Sequence, residues 1–263
     1  YRTLLLEGHD FAKGTSSRAT KLVHGGVRYL AQGNIPLVRH ALHERGRLLA
    51  NAPQVTRRQG FVVPCYRWWD MAFYGIGLFA YDLLAGRLGL GRSRLLSRQE
   101  VMRRLPTVKN DGLVGGIHYY DGQFDDSRLA ITIAASAADH GATLLNYVRV
   151  TGLLKADGRI AGVTARDMET GRDYSIRAKA VVNAAGIFMD EIRHMDRPDL
   201  AEGLSLSQGI HLVLDPGFLA SDDAILIPKT ADGRVLFVLP WLGRTVIGTT
   251  DTPIETASLE PRA

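Results

Sequence analysis

The first thirty residues constrain the fold of this chain more than any other stretch. Thr3–Glu7 is a short apolar segment that predicts a β-strand ending in an acid. Gly14–Ser17 then forms a turn of small and hydroxyl-bearing residues, and residues 20–30 place apolar side chains at helix-like spacing around Gly25-Gly26. A strand, a small-residue turn and a helix in this order indicate a nucleotide-binding α/β unit.

The composition narrows the class of protein. The chain has 263 residues, of which 46% are hydrophobic and 22% charged, which is typical of a folded domain with a substantial core. A formal charge of +5 fits an acidic substrate, an anionic cofactor or an anionic membrane surface. No basic run with interleaved aromatic residues indicates nucleic-acid binding, so no nucleic acid is expected.

The cysteine and histidine patterns argue against two other classes. Cys65 is the single cysteine, so an internal disulfide is impossible and a secreted disulfide scaffold is not indicated. The eight histidines are scattered without metal-ligand spacing, and no metal is expected. The most apolar window, 71–80, is too short to span a bilayer and predicts a buried or interfacial helix.

Periodicity and turn residues predict the remaining elements. Helices are expected over 37–52, 68–84, 97–105 and 126–140, and strands over 60–64, 142–150, 159–167, 172–178 and 180–184, followed by antiparallel strands between 204 and 248. We expect two interleaved domains in an α/β (α+β) fold. Residues 1–50 and 116–190 would form a Rossmann-like nucleotide-binding domain, and residues 51–115 and 191–263 a mostly antiparallel β domain for the substrate.

Five residues near the N-terminus are the first candidates for ligand binding. Glu7 ends a strand where an acid can accept hydrogen bonds from both ribose hydroxyls of an adenosine, although a solvated loop acid has the same pattern. Thr15, Ser16 and Ser17 offer hydroxyls and amides to a pyrophosphate, or simply cap a helix. Lys21 would add a positive charge near the same oxygens.

A second group follows directly. His24 stands beside Gly25 and Gly26, and glycine is what a backbone needs to approach a flat ring closely. Arg28 and Tyr29 add a guanidinium and a phenol that could hold an anionic substrate. His24 could equally be a hydrogen-bonded core histidine.

These residues lie within a longer string that carries a resemblance. The segment 15–30, TSSRATKLVHGGVRYL, is closely similar to the corresponding stretch of FAD-dependent glycerol-3-phosphate dehydrogenases. Residues 181–186 resemble the Val-Asn-Ala-Thr-Gly strand end of that family, with Ala185 in place of Thr. Residues 207–211, Pro240-Trp241 and 248–251 resemble further family motifs, so the likeness covers nearly the whole chain and is weakest at 65–115.

The resemblance implies an FAD-binding oxidoreductase fold of the D-amino-acid-oxidase type and FAD as cofactor. It implies oxidation of sn-glycerol 3-phosphate to dihydroxyacetone phosphate, with a hydride passing to the flavin N5 and electrons leaving to quinone or oxygen. It also implies a cytoplasmic protein that associates peripherally with the inner face of the cell membrane. The cofactor residues would be Glu7, Thr15, Ser16, Ser17, Lys21, His24, Gly25, Gly26, Val150 and Gly186; Arg28, Tyr29 and His211 would be catalytic and contact the substrate, as would Thr249.

Two rival functions stay open at this point. One is a sister flavoprotein that oxidises an amine or a 2-hydroxy acid, and the other is a non-catalytic binding protein that kept the fold. The segment Gly75–Ala80 matches a GxGxxA dinucleotide pattern, but aromatic residues at helical spacing precede it, so we interpret it as an apolar helix.

The resemblance also implies missing parts. The glycine-rich first turn of the family would precede Tyr1, and a helical C-terminal domain would follow Ala263. We therefore expect this piece alone to bind FAD poorly and to be inactive.

Overall fold

The computed structural model describes residues 1–230 and 233–260, apart from the side chains of Arg28 and Ala31. The strands are β1 Leu4–Leu6, β2 Leu22–Val23, β3 Thr56–Cys65, β4 Arg94–Ser97, β5 Gly115–Phe124, β6 Thr143–Leu145, β7 Val148–Ala156, β8 Arg159–Asp167, β9 Asp173–Arg177, β10 Ser207–Gln208, β11 His211–Leu214, β12 Ala224–Ile227, β13 Leu236–Trp241, β14 Arg244–Gly248 and β15 Thr252–Pro253. The helices are α1 Val27–Ala31, α2 Ile35–Asn51, α3 Trp68–Ala85, α4 Arg98–Arg104, α5 Asp126–Asp139 and α6 Met189–Asp196.

The chain divides into two compact units. The first contains Tyr1–Arg18, Asp126–Gln208 and the residues from Thr252 onward, and the second contains Ala19–Asp125 and Gly209–Asp251. These borders differ from the sequence-based ones, because residues 19–50 and 116–125 belong to the second unit and residues 191–208 and 252–260 to the first. The assignment of one unit to the cofactor and the other to the substrate stays a prediction.

The first unit combines a parallel strand pair with an antiparallel meander. β1 and β6 pair in parallel, with Leu5 opposite Leu144. β7, β8 and β9 form a separate three-stranded antiparallel sheet, which confirms the strands predicted over 159–167 and 172–178. The positive φ values of Asp157, Gly158 and Gly171 account for the tight turns between these strands.

Two strand predictions in the first unit are wrong. Residues 142–150 are two strands, β6 and β7, because the chain turns at Tyr147, whose φ is +56°. Residues 180–184 are not in a strand within the described part of the chain. The β-branched composition of this segment favours a strand, but a strand also needs a hydrogen-bonded neighbour, and Val182 is 85% exposed.

The second unit is built on an eight-stranded sheet. Its order is β11-β14-β13-β12-β3-β5-β2, and β4 also pairs with β5. One core cluster joins α2 and α3 to this sheet through Leu42, Leu78 and Phe61. A second cluster, which includes Val62 and Val101, packs α4 onto it. Phe61 and Val62 are neighbours in β3 and point to opposite faces of the sheet, so helices cover both faces.

The central strand β5 is the main element that sequence patterns do not predict. It pairs with β3 over ten residues, yet it carries the buried polar side chains of His118, Asp121 and Gln123. Its glycines also weaken the strand signal. A Cβ on Gly122 would lie 2.6 Å from the carbonyl oxygen of Val23, so glycine is needed where β2 pairs with β5.

Two predicted helices have the expected ends. α3 begins at Trp68 and includes the Gly75–Ala80 segment, which confirms that this segment is an apolar helix. α4 begins after Ser97, whose side chain accepts from the Glu100 backbone N–H while the Glu100 carboxylate accepts from the Ser97 N–H. This reciprocal pair is a capping box, and it fixes the start of the helix predicted over 97–105.

A buried ion pair connects α2 to β5. Arg45 Nη1 lies 2.8 Å from Asp121 Oδ1, and the two side chains are 2% and 3% exposed. Removing one partner of such a pair leaves an uncompensated charge away from water.

We expect Asp121→Ala to lower the free energy of unfolding by about 3–5 kcal/mol, because the Arg45 charge would stay buried without its partner. Chemical denaturation monitored by circular dichroism measures this. Asp215→Ala is the control, since Asp215 pairs with Arg244 at the surface and its side chain is 76% exposed. Equal effects of the two variants would contradict the assigned role of the buried pair.

Candidate functional site

Glu7 follows β1 and is held on both sides by backbone hydrogen bonds. Its N–H donates to the Leu145 carbonyl at 2.9 Å, and its own carbonyl accepts from the Val148 N–H at 2.9 Å. The carboxylate Oε1 accepts the backbone N–H of His9 at 2.9 Å. The acid therefore has a fixed place at the carboxyl end of a parallel strand, where an adenosine ribose is bound in nucleotide-binding folds.

The loop after Glu7 is fastened to β7 by a side-chain contact. Arg149 Nη2 lies 2.9 Å from His9 Nε2, and the Arg149 side chain lies over Gly8. An arginine can only donate, so His9 Nε2 accepts this hydrogen bond. Next along β7, Val150 is half-buried and opposes Ala165.

Thr15–Ser17 form a single 3-10 turn that packs against α5. The turn is closed by hydrogen bonds from the Ser17 N–H to the Gly14 carbonyl and from the Arg18 N–H to the Thr15 carbonyl. Thr15 and Ser16 are exposed. Amides at the start of such a turn have no acceptor inside it, so they can donate to an anionic ligand.

Gly186 begins another 3-10 turn in the first unit. Its φ is +57°, a conformation that favours glycine, and a Cβ added there would meet no atom within 4 Å. Asn183 fastens the turn from both ends, since its Nδ2 donates to the Met189 carbonyl and its Oδ1 accepts from the Ala185 N–H. The space above Gly186 is open to a ligand.

In the second unit, the His24–Gly26 loop lies between β2 and α1. The Gly25 N–H donates to the Tyr81 hydroxyl at 2.6 Å, and the Gly26 N–H donates to His24 Nδ1 at 2.9 Å. A Cβ on Gly25 would lie 2.4 Å from Leu42 Cδ2. Packing against α2 and α3 is therefore one reason for glycine here, besides the predicted approach to a ring.

Tyr81 continues the network into the core. Its hydroxyl donates to Asp121 Oδ2 at 2.7 Å, and the other oxygen of Asp121 meets Arg45. Burial, with the negative charge of Asp121 beside it, raises the pKa of Tyr81 well above its ordinary value. The phenol therefore stays protonated and keeps both hydrogen bonds.

His211 lies on β11 directly opposite Gly248 of β14. A Cβ on Gly248 would lie 2.2 Å from His211 Cδ2, so the imidazole covers the glycine backbone closely. His211 Nε2 also lies 3.0 Å from Thr20 Oγ1. Glycine at 248 is therefore required by the place of the imidazole.

The structure brings three of the predicted residues into one contact chain. The His24 ring lies 6.0 Å from the Phe237 ring, and Phe237 opposes Gly248 across the β13–β14 pair. Gly248 in turn carries the His211 ring. Thr249 follows it, and its hydroxyl donates to the Thr250 and Ile210 carbonyls at 3.0 and 3.3 Å.

The remaining predicted residues are placed around the same loop. Tyr29 is exposed, and its ring packs against Gly26. Lys21 has a φ of +60°, and its carbonyl accepts from the Phe124 N–H. The backbone of Arg28 lies in α1, while its side chain lies outside what the structure describes.

Among the surface cavities of the described residues, two are compared with the candidate site. One of about 440 Å³ in the second unit is bordered by His24 and by α2 residues that include Glu44 and Arg45. The other, about 310 Å³, lies on the meander around the Arg166–Asp173 ion pair, and no predicted site residue lines it. Only the first cavity is next to the candidate chemistry.

A parallel strand pair, the antiparallel meander that follows it, an acid at the end of the first strand and glycine-bordered turns fit one class of protein: a nucleotide-dependent oxidoreductase fold of the flavoprotein type. The family model described as "FAD dependent oxidoreductase" matches residues 1–263, and the chain belongs to this family. The predicted fold class is thereby confirmed.

Within this family, the chain is similar in sequence to mitochondrial glycerol-3-phosphate dehydrogenases. The chain is 43% identical over 268 residues to the mitochondrial glycerol-3-phosphate dehydrogenase of Macaca fascicularis, covering 97% of the chain and 37% of that protein. It is 44% identical over 271 residues to the mitochondrial glycerol-3-phosphate dehydrogenase of Arabidopsis thaliana, covering 98% and 43%.

A solved structure gives the same picture. The glycerol-3-phosphate dehydrogenase from Bacillus halodurans, solved in complex with FAD, superposes with a TM-score of 0.78 at 34% identity. The superposition covers all of this chain and 45% of that one. The chain thus spans less than half the length of each of these relatives.

Sequence reasoning misses four residues that hold the site. Tyr81 and Asp121 support the His24–Gly26 loop from the core, and Thr20 and Phe237 contact the two histidines. Thr20 lies within the family-like segment 15–30, but no local pattern marks the other three residues. For Asp121, the buried polar side chains of β5 are a signal of a functional role, but they can be recognised only after the strand has been located.

We expect Gly25→Ala to lower FAD affinity about tenfold or more in a full-length protein carrying this chain, because overpacking of about 1–3 kcal/mol would displace the loop. Equilibrium titration of the apoprotein with FAD measures it. Gly77→Ala is the control, since a Cβ there meets nothing within 4 Å. Loss of FAD binding in Gly77→Ala alone would instead make the GxGxxA segment the nucleotide site.

Proposed function

We propose that this chain forms part of an FAD-dependent dehydrogenase that oxidises sn-glycerol 3-phosphate to dihydroxyacetone phosphate. The main support is the contact chain from His24 through Phe237 and Gly248 to His211, which fixes two histidines in one unit. The glycerol-3-phosphate dehydrogenases at 43% and 44% identity support the substrate.

The residues of the first unit fit the adenosine diphosphate part of FAD. Glu7 would bind the ribose hydroxyls, and the amides and hydroxyls of Thr15, Ser16 and Ser17 the pyrophosphate. The open space above Gly186 leaves room for a ligand at close range. FAD, when bound, accepts a hydride at N5 and so supplies the redox chemistry.

The residues of the second unit would bind the substrate and move its proton. Arg28 and Tyr29 would bind the phosphate of glycerol 3-phosphate, as a guanidinium and a phenol can. His211 would accept the C2 hydroxyl proton as the C2 hydride leaves and the carbonyl forms. The Thr20 hydroxyl and the Gly248 backbone would keep the His211 ring in place for this step.

We expect His211→Asn, in a flavin-loaded full-length protein, to lower kcat by roughly 10²–10⁴ because it removes the proton acceptor. Steady-state turnover with glycerol 3-phosphate measures this, and the visible flavin spectrum checks that cofactor is retained. His140→Asn is the control, since His140 is exposed and its ring Nδ1 and backbone N–H are hydrogen-bonded to the Ser136 carbonyl.

The same assay separates the rival functions. Turnover of a 2-hydroxy acid or glycine in place of glycerol 3-phosphate would identify a sister flavoprotein. A full-length protein that purifies without flavin and does not take it up would identify a binding protein that kept the fold.

We also propose that α3 rests on an anionic membrane surface. Six of its large apolar side chains are exposed, although a soluble helix normally buries such residues: Trp68, Trp69, Phe73, Ile76, Phe79 and Leu83. No helix in the described ranges is both long and apolar enough to cross a bilayer. An apolar helix face flanked by arginines is typical of interfacial attachment, and Arg67, Arg87 and Arg94 are exposed nearby.

We expect the double variant Trp69→Ser, Leu83→Ser to lose most of its binding to phosphatidylglycerol-containing vesicles, because it removes two of the most exposed apolar side chains. Vesicle flotation of the full-length protein measures this. Leu242→Ser is the control, since Leu242 is 78% exposed in the β13–β14 turn, away from α3 in sequence. Equal binding of all three proteins would mean that α3 packs against protein and not lipid.

A further inference from the structure

We propose that Tyr81 is a positioning residue that fixes the His24–Gly26 loop, so that His24 is presented as a neutral hydrogen-bond donor through Nε2–H. The proposal rests on the function proposed above and deepens it. It gives the two histidines different roles, with His24 as a donor and His211 as the proton acceptor.

Tyr81 anchors the backbone of the His24–Gly26 loop. The 2.6 Å hydrogen bond from the Gly25 N–H is the link between α3 and this loop. Gly25 is buried, with no room for a Cβ between Leu42 and the Tyr81 hydroxyl. The loop can therefore reach Tyr81 only with glycine at this position.

Asp121 holds the Tyr81 hydroxyl in place. A phenol has one hydrogen to donate, and here it goes to Asp121 Oδ2. The hydroxyl oxygen is thus left to accept from Gly25. Asp121 is itself held by Arg45 and by the Gly122 N–H at 3.1 Å, so the acceptor cannot turn away without leaving a buried charge unpaired.

The hydrogen bond from Gly26 sets the tautomer of His24. The Gly26 N–H donates to His24 Nδ1, and a backbone amide cannot accept, so Nδ1 carries no proton. The neutral ring then has its hydrogen on Nε2, and His24 is an exposed residue. A ring in this state donates to a carbonyl oxygen or ring nitrogen of a bound ligand and cannot take a proton at Nε2.

The conformation of the loop connects the Tyr81 anchor to the His24 tautomer. Gly26 has φ +71° and ψ 54°, a left-handed conformation in which its N–H turns back to the imidazole. This conformation directly follows the Gly25 amide that Tyr81 holds. Releasing Gly25 frees the Gly26 amide, and with it the preference for the Nε2–H tautomer.

Nitrogen-15 NMR of the histidine rings tests the tautomer directly in the full-length, FAD-loaded protein. We expect His24, assigned by its loss in His24→Gln, to show an unprotonated Nδ1 and a protonated Nε2. Tyr81→Phe should bring a mixture of tautomers. It should also raise the dissociation constant of FAD about tenfold, the effect of losing one buried hydrogen bond.

Tyr119→Phe is the matched control. Tyr119 is as buried as Tyr81 and lies edge-on to it at 6.4 Å, but its ring stacks on Phe61. It should leave the His24 tautomer and FAD affinity unchanged. Equal effects of the two tyrosine variants would reduce Tyr81 to a packing residue and overturn the proposal.

The wild-type spectrum keeps the proposal testable even if Tyr81→Phe fails to fold. A proton on Nδ1 of wild-type His24 would overturn it outright. The Nε2–H tautomer in a protein that does not oxidise glycerol 3-phosphate would support the positioning role and refute only the proposed substrate.

Discussion

The contact between Arg45 and Asp121 is the interaction on which the second unit depends. Asp121 is buried in the central strand and would be costly there without its partner. With Arg45 on one oxygen and Tyr81 on the other, it connects α2, α3 and β5 at one point. The same point holds the Gly25 amide, so the core of the unit and the candidate site share one polar network.

Close packing around three glycines also constrains the structure. Gly25, Gly122 and Gly248 each occupy a place where a Cβ would overlap a neighbouring atom at 2.2–2.6 Å. Two of them lie directly under a functional group, since Gly25 meets Tyr81 and Gly248 lies beneath His211. Close backbone approach therefore builds the site, and the charged and aromatic groups are placed by it.

Sequence patterns predict the elements that obey local rules. α3 and α4 follow from apolar periodicity and a capping box, and the meander follows from its turn residues. β5 escapes prediction because its buried polar side chains are satisfied only by distant partners such as Arg45. Residues 180–184 fail for the opposite reason, since strong local preference cannot supply the neighbouring strand that a sheet needs.

The candidate site is predictable to a similar degree. His24, Gly25 and His211 can be chosen from the family resemblance. Only the fold shows that Tyr81 supports the Gly25 amide and that Thr20 contacts His211. Weak FAD binding and inactivity of this stretch in isolation stay predictions.

The proposed function requires that glycerol 3-phosphate reduces a flavin held by these residues. The most direct measurement is anaerobic mixing of the FAD-loaded full-length protein with sn-glycerol 3-phosphate while the visible flavin absorption is followed. We expect the band to bleach and one dihydroxyacetone phosphate to form for each flavin reduced. A band that persists with glycerol 3-phosphate but bleaches with an amine or a 2-hydroxy acid would contradict it.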